Sequence, residues 1–478
     1  MKRFLIVMAA VLLTALSVSA KVSLPSLVGD NMVLQRNTSV NVWGKAKAGA
    51  KVTVSVSWSK ERYRTKADPD GNWRVRVATA DAGGPHTMTI SDGEPVTVRG
   101  VMLGEVWLCC GQSNMEMPLN GFWHCPVEGS LEEVALSGQF RDKIRLVKIP
   151  KTGAETPQET VEGRWQVSGP ATSGTFTAVG WHFAKMLNAV LDVPVGLVSC
   201  NWGGSALESW LPKDVVYTYP ENTLPSGQYA SKKDPGGSYN CASPAVMYNG
   251  MIYPIRNYTL KGFIWYQGET NSGFPQYYAQ RLADMVKVWR DLWGLGEMPF
   301  YEVELAPFTY GGDGTTGARI REAQHKAVEL IPGSGIASIN DLAYPYEYDE
   351  IHPRRKKEVG ERLSYLALNR TYGMDYLPCE GPRFKSYEVR GGEIEVAFYN
   401  GESGFSPWHD IVGFEIAGED KVFHPAEIRR GTRLNTVIVK SGKVPAPVAV
   451  RYCFRDFQVG NFTGRRCLPV IPFRTDNW

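Results

Sequence analysis

The residue types needed for ester hydrolysis by a serine lie in four short stretches of this chain. They are "GQSNM" at residues 111–115, "NWGGSALESW" at 201–210, "GETN" at 268–271 and "DEIHP" at 349–353. A serine hydroxyl is a weak nucleophile and needs an adjacent general base. Histidine is the natural base at neutral pH. An aspartate on the other ring nitrogen fixes the tautomer and stabilises the imidazolium. Negative charge developing on the carbonyl oxygen needs preorganised donors, worth roughly 3 kcal/mol each. In these terms Ser113 is the candidate nucleophile, His352 the base, and Asp349, on the same loop, the orienting acid. The backbone N–H groups of Ser113 and Gly204 and the side-chain amide of Asn271 are candidate oxyanion donors. Glycine at 203 and 204 lets the backbone approach a substrate closely. Gln112, Gln267 and Trp202 border these stretches and are candidate substrate-binding residues.

Taken singly, each stretch has a structural alternative. Ser113 suits a helix N-cap. Asp349 and His352 suit the cap of a helix starting at Pro353. Asn271 suits a turn, and "GGS" is a common loop sequence. Four such stretches at successive strand ends are much harder to reach by accident. Among the other histidines, His182 and His325 fall on helices beside their apolar stripes, and His86, His409 and His424 fall in β regions. His124 is near enough to the Ser113 segment to line a pocket. Asp341 and Glu350 are the alternative acids for His352.

The elements that position these loops are legible from periodicity. Residues 21–99 alternate with period two, as in "VTVSVSW" and "WRVRV", with "DPDGN" as a turn between them, and predict a small antiparallel β domain. Residues 100–378 change grammar. Short apolar strands begin at Glu105, Ile144, Val195, Gly262, Phe300 and Gly335. Between and after them lie helical stripes: Val179, Phe183, Leu187 and Val190; Tyr278, Leu282, Met285, Val286 and Trp289; Ile320, Ala323, Ala327 and Leu330; Val359, Leu363, Leu366 and Ala367. Alternating strands and helices predict a parallel sheet covered on both faces. Ligands then bind beyond the carboxyl ends of the strands, where all four stretches fall. Residues 379–478 return to short strands and predict a β-rich C-terminal domain.

Composition narrows the function classes. The 478 residues are 43% hydrophobic and 21% charged, with a net charge of +3 and no basic run, which argues against a nucleic-acid partner. Lys2 and Arg3, an apolar stretch and Val18-Ser19-Ala20 read as a secretory signal over residues 1–20. It predicts an exported protein, periplasmic or extracellular, without stable membrane insertion. The eight cysteines form no C-x-x-C pair, so no metal or redox site is expected, and most read as small buried hydrophobes.

With these residues in hand, the chain resembles the sialate O-acetylesterases of the SGNH hydrolase superfamily. "GEVWLCCGQSNMEMPL" resembles that family's nucleophile block, "NWGGSALESW" its glycine block, "FIWYQGETN" its asparagine block and "DEIHPRRKKEVGERL" its Asp-x-x-His block. "GDNMVLQR", "GFEIAGEDKVFHPA" and "LPVIPFRTDNW" extend the likeness over nearly all of the chain after the signal. The resemblance implies a three-layer α/β/α SGNH-type sheet with N- and C-terminal β-rich accessory regions. It implies Ser113 as nucleophile, His352 as base, Asp349 as orienting acid and Gly204 and Asn271 as oxyanion donors. It implies no cofactor, and an O-acetylated sugar or glycan as substrate, with sialic acid esters first and acetylated xylan or another polysaccharide as the alternative. An α/β-hydrolase is disfavoured, because Met115 stands where the second glycine of G-x-S-x-G would be. Two departures from the family pattern are Cys110, where a small serine is expected, and the aromatic stretch "LAYPYEY" ahead of the Asp-x-x-His block. A non-catalytic glycan-binding protein is the remaining alternative; the intact Ser113, Asn271, Asp349 and His352 argue against it.

Overall fold

The computed structural model describes residues 21–234 and 236–478. The signal read over residues 1–20 lies outside them. The architecture is mixed α/β, with a large, mostly parallel central sheet and β-rich regions on either side of it in the chain.

Seven strands build the part of the sheet that carries the candidate site: β1 (Pro95–Gly111), β2 (Ile144–Lys148), β3 (Trp165–Val167), β4 (Val195–Asn201), β5 (Gly262–Tyr266), β6 (Phe300–Val303) and β7 (Ser334–Ala337). Their spatial order is β7-β6-β5-β1-β4-β2-β3. All neighbours are parallel except the antiparallel edge strand β3. Every residue of β4, β5, β6 and β7 is buried, as expected of strands covered on both faces.

A one-turn helix α1 (Ser113–Glu116) follows β1, and the four helices of fourteen residues or more among the described residues are α2 (Ala178–Leu191), α3 (Pro275–Trp293), α4 (Thr316–Leu330) and α5 (Lys356–Arg370). Local chemistry sets their ends. Thr177 caps α2 by accepting from the Gly180 N–H at 3.2 Å. Pro275 opens α3, and Gly294 closes it in the left-handed region. Successive strand residues serve different cores. Leu108, Cys110 and Trp265 pack with Leu282, Val286 and Ile320 of α3 and α4. Trp107, Cys109 and Ile264 pack with Phe183 and Leu363 of α2 and α5. Neighbouring Cys109 and Cys110 therefore enter opposite cores, as their adjacency on a strand requires.

Three details differ from the sequence reading. Val190 and Leu330, assigned to apolar stripes, are exposed, because each lies in the last turn of its helix. His182, placed beside its stripe, is buried where α2 meets Gly360 of α5. The helix expected from Pro353 starts at Lys356, which leaves His352 on a loop.

The flanking β regions are continuous with this frame. Strand Gly83–Ser91 pairs antiparallel with the first half of β1, while the second half of β1 joins the parallel sheet. The boundary drawn at residues 99 and 100 thus falls inside one strand. The C-terminal strands enclose their own core around Val396, Phe398, Phe414 and Tyr452. They meet the central unit through Asp456, which accepts from the Gly317 N–H at 2.7 Å, and through Arg474, paired with Glu322 at 2.9 Å.

Candidate active site

Each of the four stretches begins at the carboxyl end of a parallel strand, or on the loop beyond it. β1 ends at Gly111, where the backbone has a φ of 142° and an added Cβ would lie 2.2 Å from the Tyr266 carbonyl oxygen. Only glycine fits this close approach to β5. The Gln112 N–H then donates to the same Tyr266 carbonyl at 3.0 Å, and the chain turns into α1. Ser113 is the first residue of that turn, half-buried, while the N-cap position belongs to Gln112. The N-cap alternative for Ser113 is thereby removed. Gly203 packs against Ser113: a Cβ there would lie 3.3 Å from Ser113 Cβ.

The two glycines of the β4 loop have separate tasks. The Gly203 N–H donates to Glu116 Oε2 at 2.9 Å, and Glu116 also pairs with Lys151 at 2.7 Å. Gly204 has a φ of 75°, and its N–H meets no protein acceptor among the described residues, which leaves it open to an oxyanion. Asn271 is 2% exposed and firmly held. Its Oδ1 accepts from the Leu207 N–H at 3.0 Å and from Gln267 Nε2 at 2.8 Å. Its Nδ2 donates to the Glu208 carboxylate at 3.0 Å. Donation to an oxyanion must use the second Nδ2 hydrogen. Glu208 is itself buried and paired with Arg281 at 2.7 Å.

The three candidate substrate-binding residues are fastenings of the loops. Gln267 is fully buried; its Nε2 donates to the Ser205 carbonyl at 3.0 Å as well as to Asn271. Gln112 is buried, with Oε1 3.4 Å from the Gly268 N. Trp202 is half-buried against the core below the glycine loop. Both glutamines are buried within the loop framework.

His352 sits between two loops. Its Nδ1 lies 3.7 Å from both Glu350 Oε1 and Cys125 Sγ, and its backbone N–H donates to Glu350 Oε1 at 2.9 Å. The edge of Phe122 packs on its ring, with centroids 5.2 Å apart. Its Nε2 is buried without a hydrogen-bond partner among the described residues. Burial pushes the imidazole pKa down to about 4, helped by the nearby Lys356 charge and opposed by Glu350 and Glu116. A neutral imidazole with an unpartnered Nε2 is what a general base needs.

The carboxylate beside Nδ1 belongs to Glu350, one of the two alternative acids read from the sequence. Asp349 is exposed and makes no hydrogen bond among the described residues. The two are neighbours where a tight turn ends, and only the longer side chain of Glu350 folds back to His352 and to Cys125 Sγ, 3.3 Å away. Asp341 is committed elsewhere, bridging Arg362 at 2.6 and 2.7 Å. His124 is exposed at the tip of the Phe122 loop.

The sequence reading missed a buried network beneath these groups. Asn114 Nδ2 donates to Glu269 Oε1 at 2.5 Å and to the Ile351 carbonyl at 2.9 Å. Its Oδ1 accepts from Lys356 Nζ at 2.6 Å. One side chain therefore ties the neighbour of Ser113 to the neighbour of His352. Burial lowers the Lys356 pKa to about 8 and raises that of Glu269. Only the position of Asn114 and Glu269 inside their stretches hinted at this. Among the described residues, Cys125, Glu350 and His352 have donor atoms close enough together to hold a metal ion. Burial and Glu350 push the Cys125 thiol up to about 11, so it is a neutral hydrogen-bond donor to Glu350.

Three comparisons relate this chain to known carbohydrate esterases. The family described as carbohydrate esterase, sialic acid-specific acetylesterase matches residues 103–368. The sialate O-acetylesterase of Rattus norvegicus is 29% identical over 420 residues, 76% of this chain and 76% of that protein. The Homo sapiens sialate O-acetylesterase is 26% identical over 421 residues, 78% of this chain and 76% of its own length. A solved carbohydrate acetylesterase from Xanthomonas citri superposes with a TM-score of 0.84 at 37% identity, over 96% of this chain and 100% of that one. With the matched residues spanning all four stretches, this chain is a carboxylic ester hydrolase and belongs to the sialic acid-specific acetylesterase family of carbohydrate esterases.

Proposed function

We propose that the protein removes O-acetyl groups from sialic acids through an acetyl-enzyme on Ser113. The observation that carries this reading is the single span from Ser113 through Asn114 to Ile351 and His352, at the carboxyl end of β1. Ser113 Oγ attacks the ester carbonyl while His352 Nε2 takes its proton. The tetrahedral oxyanion is met by the N–H groups of Ser113 and Gly204 and by Asn271 Nδ2. The imidazolium, balanced by Glu350, returns the proton to the departing sugar hydroxyl. Water, deprotonated by His352, then attacks the acetyl carbonyl; the imidazolium returns that proton to Ser113 Oγ as the C–O bond breaks, and acetate is released.

The same reading assigns the central unit to the three-layer α/β/α SGNH type, with the partition of β1 and β5 side chains between two helix pairs as its support. It also takes the chain to be exported, on the strength of the sequence over residues 1–20. No helix among the described residues is long and apolar enough to cross a membrane.

A second reading keeps the chemistry and takes a neutral acetylated polysaccharide as substrate. A sialic acid carboxylate calls for a free arginine or a nest of N–H donors. Both arginines that follow His352 are already paired, Arg354 with Glu347 at 3.0 Å and Arg355 with Glu358 at 2.5 Å. Acetate release from O-acetylated sialic acid and from acetylated xylan, at equal ester concentration, tests the two. Release from sialic acid alone, abolished by Ser113→Ala, supports the first reading. Release from xylan alone replaces the substrate, and retention by Ser113→Ala rejects both.

A further inference from the structure

Two loops meet near His352 and present aromatic rings to solvent: one touches its ring, and the other is the loop that carries it. On the first, Phe122 and Cys125 exchange backbone hydrogen bonds at 3.0 Å, a tight turn with Trp123 and His124 at its tip. Both ends of that turn touch His352, through the Phe122 ring and the Cys125 sulfur. His124 takes a φ of 72°, and its ring lies against the Trp123 ring at 3.7 Å. Trp123 is 86% exposed.

On the second loop, the Tyr344 and Tyr346 rings stack 5.3 Å apart and 8° from parallel, and Arg354 lies over Tyr346 at 5.1 Å. Tyr346 is 59% exposed. The loops are fastened together: Tyr344 Oη donates to Glu128 Oε2 at 2.9 Å, and the Glu128 N–H donates to the Arg354 carbonyl at 3.0 Å. Single exposed aromatics are ordinary. Rings propped by a neighbour, on two cross-bonded loops at the edge of a catalytic histidine, mark a binding surface.

The faces of such rings match the flat C–H faces of sugars; Arg354 over Tyr346 is already paired with Glu347, and the Glu128 carboxylate between the loops repels an anionic substrate, so the surface suits neutral rings. We propose that Trp123 and Tyr346 are sugar-stacking platforms flanking His352, and that the acetyl ester is presented on a neutral glycan of several rings, not on a free monosaccharide. This rests on the second reading above, a neutral acetylated polysaccharide, and adds to it the contacts beyond the acetylated unit. Trp123 then supplies binding to the chain beyond the acetylated unit, and the reacting ester gains nothing from it directly.

The test compares kcat/KM on acetylated xylotetraose, acetylated xylose and para-nitrophenyl acetate, with full chain lacking only residues 1–20. The wild type is expected to prefer the tetraose ester to the xylose ester. Trp123→Ala is expected to lower the ratio of tetraose to para-nitrophenyl acetate activity about tenfold, through KM, the equivalent of one strong aromatic contact. Tyr346→Ala lowers it less, and Trp123→Phe restores most of it. No preference for the tetraose in the wild type, or an unchanged ratio in both alanine variants, overturns the platform. Failure of the wild type on para-nitrophenyl acetate overturns the ester-hydrolase reading beneath it, and the platform with it.

Discussion

The two ends of the site are built by different means. The Ser113 end is made of main chain. Gly111 presses on the Tyr266 carbonyl, Gln112 bonds to the same oxygen, and Gly203 packs closely on Ser113, where a Cβ would lie 3.3 Å from Ser113 Cβ. The His352 end is made of side chains. It lies on a loop outside regular structure, and Glu350, Cys125, Phe122 and the Asn114 bridge hold it. A nucleophile fixed by backbone depends on a few glycines and a strand. A base fixed by side chains depends on contacts that single substitutions can remove, and its protonation is set by the charges around it.

Substitutions can break this contrast, in descending order of effect. Ser113→Ala is expected to lower kcat about 10⁴-fold or more with little change in stability, because it removes the proposed nucleophile and leaves the main-chain frame. Full activity in that variant, measured by acetate release, would remove Ser113 from the chemistry. Glu350→Gln is expected to cost about tenfold or more in kcat, since it takes the negative charge from beside His352 Nδ1. Asp349→Asn, at an exposed position, should stay within about twofold. The reverse order in parallel kinetics would return the orienting role to Asp349.

Asn114→Ala tests the bridge between the two ends. It strips Lys356 Nζ and Glu269 Oε1 of a buried partner, and each unsatisfied group costs about 1–3 kcal/mol. Denaturant unfolding should show that loss together with a drop in kcat; unchanged stability would contradict the network. The smallest effect concerns pH. The His352 pKa is depressed from 6.5 to about 4, so the base stays neutral and kcat/KM should hold level from neutral pH to the region just above 4. Between 6.5 and 4 the unfolded chain binds a proton that the folded one does not, so this residue's contribution to stability declines as pH falls through that window. Lys356→Met removes a charge that lowers the imidazole pKa and should move the acid limb upward. A limb already at 6.5 in the wild type would show that the site does not desolvate its histidine.

The same contrast explains what the sequence made legible. The strand starts at Ile144, Val195, Gly262 and Phe300 agree with the structure, because doubly covered parallel strands leave continuous apolar runs. The main-chain end of the site followed from those strands and from the glycines that close them. The side-chain end followed less well. Asp349 and Glu350 are adjacent acids on an aperiodic loop, and the choice between them depends on how the turn at Tyr348 and Asp349 orients each side chain. Lys356 stands among charged residues, and a lysine is ordinarily a solvated side chain. It is buried because α5 starts at Lys356 and not at Pro353, which brings its ammonium beneath Asn114. The aromatic stretch ahead of Asp349 is a departure from the family pattern, and its Tyr346 and Tyr348 are exposed. Trp123 carried no signal at all, since a lone tryptophan in a loop reads as core.

Covalent capture tests the central claim most directly. The purified chain is treated with a serine-reactive phosphonate, digested, and mapped by mass spectrometry, with His352→Gln and Ser113→Ala alongside. The account predicts one adduct, on Ser113, formed in step with loss of esterase activity, slowed in His352→Gln and absent in Ser113→Ala. Inactivation with the adduct on another residue, or a Ser113→Ala protein that is still inactivated, would contradict it.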